Sequence, residues 1–283
     1  MNTSDPKATP MKKLILAGVA AFALASSSAS AADMPVKAAP VAAPAPVFTW
    51  TGCYIGVEGG GAWGRSQHIG AADDAAISGF PISDSFNLHG GLVGGTLGCN
   101  FQVGKVVVGA EGDGSWVSKK GSGPELDVAP FIGTAGWIDS TRERWLATFR
   151  GRAGWTVSPQ WLVFVTGGFA VAGMEATVND VPDGLIFTDR KTQFGWTVGG
   201  GIEWAFLPNF SLKVEYLYVR LEDAVFFENA CGGSGAVLGA CTTPPAPGPR
   251  FVPLDDHIVR AGLNFHFWTP VPPVPAAAVK AKY

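Results

Sequence analysis

The sequence predicts an all-β protein: an eight-stranded antiparallel up-and-down transmembrane β-barrel. Three observations point there. Eight segments alternate in character residue by residue, tryptophans fall at the segment ends, and short connections alternate with long ones. The clearest segment runs from Trp145 to Trp155. Trp145, Ala147, Phe149, Gly151, Ala153 and Trp155 make one apolar face, while Leu146, Thr148, Arg150, Arg152 and Gly154 make the other. A strand of a soluble sheet turns its charged face to water. A membrane barrel strand turns its apolar face to lipid and its polar face to the lumen, with aromatics at both rims. Tryptophan at both ends of the apolar face favours the second arrangement.

The chain opens with an export pattern. Lys12 and Lys13 precede an apolar run from Leu14 to Leu24, and Ala29-Ser30-Ala31 fits cleavage after small residues. This reads as a secretory signal over residues 1–31, with Met11 at the ideal start. No other stretch approaches the ~18 consecutive apolar residues of a spanning helix. Charged residues are only 15% of the chain, and 38 residues are glycine. Removing residues 1–31 takes out three lysines and Asp5, leaving 17 basic and 22 acidic residues, net −5. There is no basic stripe, so no nucleic-acid partner is expected. Residues 32–47 and 269–283 are Pro/Ala-rich and read as a periplasmic linker and a C-terminal tail around a barrel over 48–268.

In order, the expected strands cover 50–64, 87–103, 106–118, 143–157, 161–176, 191–206, 210–221 and 256–268. Tight turns join the second to the third at Gly104-Lys105, the fourth to the fifth at Ser158-Pro-Gln160, and the sixth to the seventh at Leu207-Pro-Asn209. Residues 65–86, 119–142, 177–190 and 222–255 read as long loops. Periplasmic turns and longer extracellular loops are the outer-membrane plan, and an even strand count puts both termini on the periplasmic side.

Within these strands the apolar phase carries no charge. The opposite phase holds Glu58, Glu111, Asp113, Arg150, Arg152, Glu203, Lys213, Glu215 and Arg260. Eight strands enclose a space just wide enough for side chains. Five acids and four bases in that space read as a paired network filling the lumen. Gly56, Gly60, Gly94, Gly98, Gly112, Gly154, Gly168, Gly199 and Gly201 are assigned to the inner phase, as room for long side chains. The fifth strand is the weakest, because Leu162 and Phe164 make both of its faces apolar. Trp50, Trp155, Trp161, Trp204 and Trp268 fall toward the turn side and Trp63, Trp116, Trp145 and Trp196 toward the loop side, with Trp137 in a loop. Lys119 also falls in a loop, where substitution is expected to matter little.

Four motifs carry a family resemblance: Trp50-Thr-Gly-Cys-Tyr-Ile-Gly-Val, Gly94-Gly-Thr-Leu-Gly-Cys-Asn-Phe, Val108-Gly-Ala-Glu-Gly-Asp and Val259-Arg-Ala-Gly-Leu-Asn-Phe-His-Phe. Over roughly residues 48–268 the chain resembles the small opacity-type outer-membrane barrels of alphaproteobacteria, also called porin-family or outer-membrane immunogenic proteins. The resemblance implies surface-exposed antigenic loops and an envelope-integrity role, and it carries no catalytic residue. One departure is the tail after Phe267-Trp268, where many such barrels end on an aromatic strand.

Cys53 and Cys99 are expected near the turn-side rim on neighbouring strands, and Cys231 and Cys241 in one glycine-rich loop. Two disulfides, Cys53–Cys99 and Cys231–Cys241, are the expected pairing in an oxidising compartment. Their spacing lacks a Cys-x-x-Cys metal pattern. His68, His89, His257 and His266 read as solvated or rim-level, with no His-x-Ser arrangement for lipid chemistry. No cofactor, metal site or enzyme activity is expected. Expected partners are outer-membrane lipids, lipopolysaccharide and the barrel-assembly machinery, with peptidoglycan or a host surface left open. The expected role is a structural barrel contributing to envelope integrity and surface interactions. A narrow diffusion channel and a lipid-modifying enzyme stand as alternatives.

Overall fold

A computed structural model of the chain describes residues 48–71, 78–126, 136–228 and 247–268. Eight long strands form one closed sheet: β1 (Gly52–Ser66), β2 (Phe86–Val103), β3 (Val106–Pro124), β4 (Trp137–Ser158), β5 (Trp161–Asp180), β6 (Leu185–Leu207), β7 (Phe210–Leu221) and β8 (Leu254–Trp268). Each pairs antiparallel with its sequence neighbour, and β1 closes on β8 from Cys53↔Trp268 to Ser66↔Leu254. Closure leaves no unpaired edge, the condition for a sheet in hydrocarbon. The first strand starts and the last strand ends at the same rim, here the turn end.

The phases separate inside from outside. Phe149, Phe169, Val165, Leu97 and Phe194 are exposed on the outer wall, whereas Arg150, Leu162 and Thr148 are buried within. Trp155, Trp161 and Trp204 stand exposed at the turn end, with Trp161 and Trp204 stacked at 5.6 Å. Trp63, Trp116, Trp145 and Trp196 stand exposed toward the loops. Ten residues separate Trp145 from Trp155 on β4. At about 3.3 Å each and a tilt of about 45°, that is roughly 23 Å of height, close to the ~25 Å apolar band of such barrels. Phe149 lies near its middle. Phe149→Arg is therefore expected to lose roughly 2–4 kcal/mol in urea unfolding from lipid vesicles. The same change at exposed Lys120 or Thr188 should be near neutral.

Several boundaries differ from the sequence expectation. β3 runs on to Pro124, β4 starts at Trp137, β5 ends at Asp180 and β6 starts at Leu185. Residues 177–190 are thus strand on both sides of a four-residue turn, not a long loop. Trp137 is no loop residue; it opens β4 and is buried. Trp50 is no interfacial anchor either, since it is fully buried inside the turn end. The side chain of Trp268 lies outside the described residues.

The extensions obey the reverse pattern. Above the loop-side tryptophans, Lys120, Arg142, Arg144, Thr188 and Arg190 face outward, and Trp137, Met174, Ala176 and Val178 face inward. This is the polarity of a barrel in water. A β-bulge at Arg144 marks the change in β4, where Glu143 pairs with Met174 and Trp145 with Gly173. The extra residue sends Arg144 and Trp145 both outward. At the loop end, three two-residue strands, Ile69–Gly70, Arg250–Phe251 and Val225–Phe226, form a small separate sheet with Arg250–Phe251 at its centre.

Cys53 and Cys99 pair across β1 and β2 and are joined by a disulfide with a Cα separation of 4.0 Å. It lies on the outer phase at the turn end. Cys231 and Cys241 lie outside the described residues.

Candidate functional site

The space enclosed by the barrel is filled in layers. At the turn end, Trp50, Val107, Leu162, Phe164 and Ala205 form an apolar plug, with Phe48 packed edge-on against Trp50 at 4.9 Å. Leu162 and Phe164, which blur the pattern of β5 in the sequence, are this plug's inward residues.

Above the plug lies the charge network. All nine sequence-predicted charges face inward, and none is more than 7% exposed. Arg150 donates to Glu215 at 2.9 Å, Glu111 at 2.5 Å and Asp113 at 2.7 Å. Arg260 donates to Glu215 at 2.8 Å, Asp113 at 2.7 Å and, closer still, Glu58. Lys213 reaches Glu111 at 2.8 Å and Glu215 at 3.0 Å. Arg152 donates to Glu203 and to the Tyr54 hydroxyl, each at 2.8 Å, and lies 4.1 Å above the Phe164 ring. Such density in a dry space is tolerable only because each ion has several partners.

Glycine opposite several of the charges provides the room. Gly94 pairs with Glu58, Gly98 with Glu111, Gly168 with Arg150, Gly201 with Glu215 and Gly60 with Arg260. A Cβ on Gly168 would run into the Arg150 backbone. Gly112 is corrected to the outer phase, because it lies between inward Glu111 and Asp113 and faces Phe149.

Neutral groups complete the network; the sequence places Thr148 on the inward phase but does not single out Tyr54, Ser211 or Asn264. Tyr54 donates to Glu111 at 2.5 Å, Thr148 to Asp113 at 2.7 Å, and Ser211 and Asn264 to Glu203 at 2.6 and 2.8 Å. Their inward phase was readable, but a hydroxyl or amide carries no sign to flag it. His266 is buried rather than solvated, its Nε2 2.8 Å from Ser211 Oγ. Serine, histidine and glutamate thus meet at the turn end. Glu203 stands 3.8 Å from the same Nε2, so it does not orient the ring through Nδ1 as a nucleophilic relay requires. All three are buried within the barrel wall.

The loop half of the interior departs from the polar lumen the sequence predicts. Leu88, Leu92, Leu146, Met174, Val178, Leu217, Val219 and Leu221 form an apolar core there. Lys119 lies inside it and is fully buried; it is no loop residue. Its Nζ lies 2.5 Å from Glu143 and also contacts Asp256.

Beyond the strands, His68 is buried too, against the expectation of a solvated ring. Its Nδ1 lies 3.1 Å from Asp139 and its Nε2 3.0 Å from Thr141. Arg250 donates to both Asp139 oxygens at 3.0 and 3.2 Å, with Glu125 at 3.6 Å. Burial lowers the His68 pKa from its ordinary 6.5 despite Asp139. Burial also pushes the Glu125 carboxyl up to about 7, with Arg250 opposing and Asp139 adding to the rise. The two shifts act in opposite senses. Glu125 contributes stability below its ordinary 4.5 and loses it as pH climbs through about 7. His68 contributes above its ordinary 6.5 and loses it as pH falls. In Glu125→Gln, the Ile82 amide, which donates to the His68 carbonyl at 2.8 Å, should exchange more slowly than wild type at pH 8 and equally at pH 4. Equal rates at both pH values would refute the upward shift of Glu125.

Among the described residues, no group of three or more His, Cys, Asp and Glu is arranged to hold a metal ion. The 31 kDa outer-membrane immunogenic protein of Brucella melitensis is 35% identical over 266 residues, covering 91% of this chain and all of that protein. The 25 kDa outer-membrane immunogenic protein of Brucella canis is 28% identical, covering 74% of this chain and 84% of its own. Among solved structures, the outer membrane protein OprG of Pseudomonas aeruginosa matches with 11% identity and a TM-score of 0.42, covering 77% of this chain and 97% of that one. The family model described as outer membrane protein beta-barrel domain matches residues 17–267. Alternating strands, a closed eight-strand sheet and this match agree: the chain belongs to the outer membrane protein β-barrel family.

Proposed function

We propose that this outer-membrane protein is a closed structural barrel that stabilises the envelope and displays its loop end to the outside, without conducting solutes and without catalysis. The observation that supports this reading is the filling of the interior by side chains of the described residues. An apolar plug, a charge network, an apolar core and the Arg250–Asp139–His68 cluster follow one another from rim to rim. The inward charges pair chiefly with one another across the lumen, which opposes a continuous water-filled path. The names of the Brucella relatives, as outer-membrane immunogenic proteins, are in keeping with a displayed surface.

In this reading residues 1–31 are an export signal and 32–47 and 269–283 a periplasmic linker and tail, all outside the described residues, and both ends of the barrel lie on the periplasmic side. The short connections between β2 and β3, β4 and β5, and β6 and β7 support that orientation. Planar-bilayer recording of the refolded wild-type protein is the test. No steady step currents are expected. Large, stable open-channel currents would put a narrow diffusion channel in the place of this proposal.

A further inference from the structure

The outer wall of the barrel is not uniform around its circumference. At the level of the loop-side tryptophans, a groove of about 470 Å³ opens across β3 to β6, lined by Trp116, Arg144, Trp145, Arg190, Lys191 and Thr192. The bulge in β4 builds it by turning Arg144 and Trp145 outward side by side. The Trp145 indole lies over Gly173, in space that any Cβ would occupy, so the ring is held flat against the wall. Arg144 and Arg190 share one carboxylate, Glu175, at 3.4 and 2.7 Å. That arrangement orders two guanidinium groups on one carboxylate, and Lys191 beside them pairs with Glu228 at 2.7 Å, so three cations face two carboxylates.

Above this groove lies a second one, of about 630 Å³, lined by Ser118, Lys120, Ser122, Ser140, Arg142 and Thr177 among others. Among the described residues no carboxylate forms an ion pair with Lys120 or Arg142. Below it stand the exposed rings of Phe149, Phe169 and Phe194. The opposite wall differs. There Trp63 stacks on His257, Arg220 pairs with Asp255 at 2.8 Å, and Arg65 donates to the Asn87 amide oxygen at 3.4 Å, so no three cations gather beside a tryptophan pair.

We propose that this wall of β3 to β6 binds one phosphorylated glycolipid of the surrounding leaflet. Its acyl chains lie along the phenylalanines, its phosphate sits among Arg144, Arg190 and Lys191, and its sugars rest in the hydroxyl-lined groove above. Apolar, cationic-aromatic and hydroxyl-bearing surfaces follow one another up the wall in the order in which such an amphiphile presents its parts. Guanidinium groups bind phosphate through paired donors, and indoles favour the headgroup level. The proposal rests on the reading of the chain as an outer-membrane barrel whose loop end faces outward.

The test is native mass spectrometry of the refolded full chain in detergent with bisphosphorylated lipid A. One bound lipid per barrel is expected. Arg144→Gln/Arg190→Gln/Lys191→Gln should weaken binding at least about ten-fold, and Arg144→Gln alone should weaken it measurably. Arg65→Gln/Arg220→Gln on the opposite wall should leave it unchanged. Dephosphorylated lipid A should bind weakly, and inorganic phosphate at equal concentration should not displace lipid A. Wild-type binding by the triple and single variants overturns the proposal. So does equal binding of the dephosphorylated lipid, equal loss in the opposite-wall variant, or displacement by inorganic phosphate. Heat-modifiable migration of each variant on gels reports the folded barrel. Absence of lipid binding by the wild type with that migration intact therefore refutes the site and leaves the barrel reading standing.

Discussion

Arg150→Ala is expected to destabilise the barrel by roughly 3–5 kcal/mol, the cost of removing one partner from a buried ion cluster. Arg150 is fully buried and serves Glu111, Asp113 and Glu215 at once. Its loss leaves the five acids of the network facing Arg152, Lys213 and Arg260. Arg150→Lys keeps the charge but not the fork that reaches three carboxylates, so it should fall between alanine and wild type. Urea unfolding in lipid vesicles, followed by heat-modifiable migration, gives the comparison. If Arg150→Ala unfolds at the wild-type midpoint, the interior is wet enough to solvate those acids, and the filled-lumen account fails.

Lys119→Ala is the second large effect, and it reverses what the sequence predicts for this position. Glu143 and Asp256 are each at most 1% exposed, and Lys119 lies between them. Without it, two buried acids face one another, at a cost of again about 3–5 kcal/mol. Lys120→Ala, one residue on and pointing outward, should change little. The pair of variants separates an inward lysine from a solvated one on the same strand. Equal unfolding midpoints for the two would contradict the inward placement of Lys119.

Why the sequence showed the centre of the barrel and not its ends follows from what the alternation encodes. Between the tryptophan levels, outward positions such as Phe149 and Phe169 are apolar and inward ones such as Arg150 are charged, so the membrane pattern is unambiguous. Beyond Trp116 and Trp145 the strands persist, but the solvent outside is water. Lys120, Arg142 and Arg190 then occupy the outer phase while Met174, Ala176 and Val178 occupy the inner one. A search for apolar-outside strands ends where that inversion begins, and reads the remainder as loop. The bulge at Arg144 shifts the phase as well, concealing Trp137 as a strand residue. The nine charges could be gathered from their phase alone. Their individual partners, and the burial of His68 against Asp139, depend on contacts between segments far apart in sequence, which no local pattern records.

The origin of the network's members has a consequence for biogenesis. Arg260 comes from β8, the last strand made, and its three partners come from β1, β3 and β7. Until β8 docks, Glu58, Asp113 and Glu215 lack that cation, and the seam between first and last strands is open. A chain truncated before β8, or stalled with β8 undocked, therefore leaves Glu58 without its nearest cation, while Asp113 and Glu215 keep Arg150. Sealing the seam and neutralising the interior become a single event. A half-made barrel is then less stable in the bilayer than the closed one.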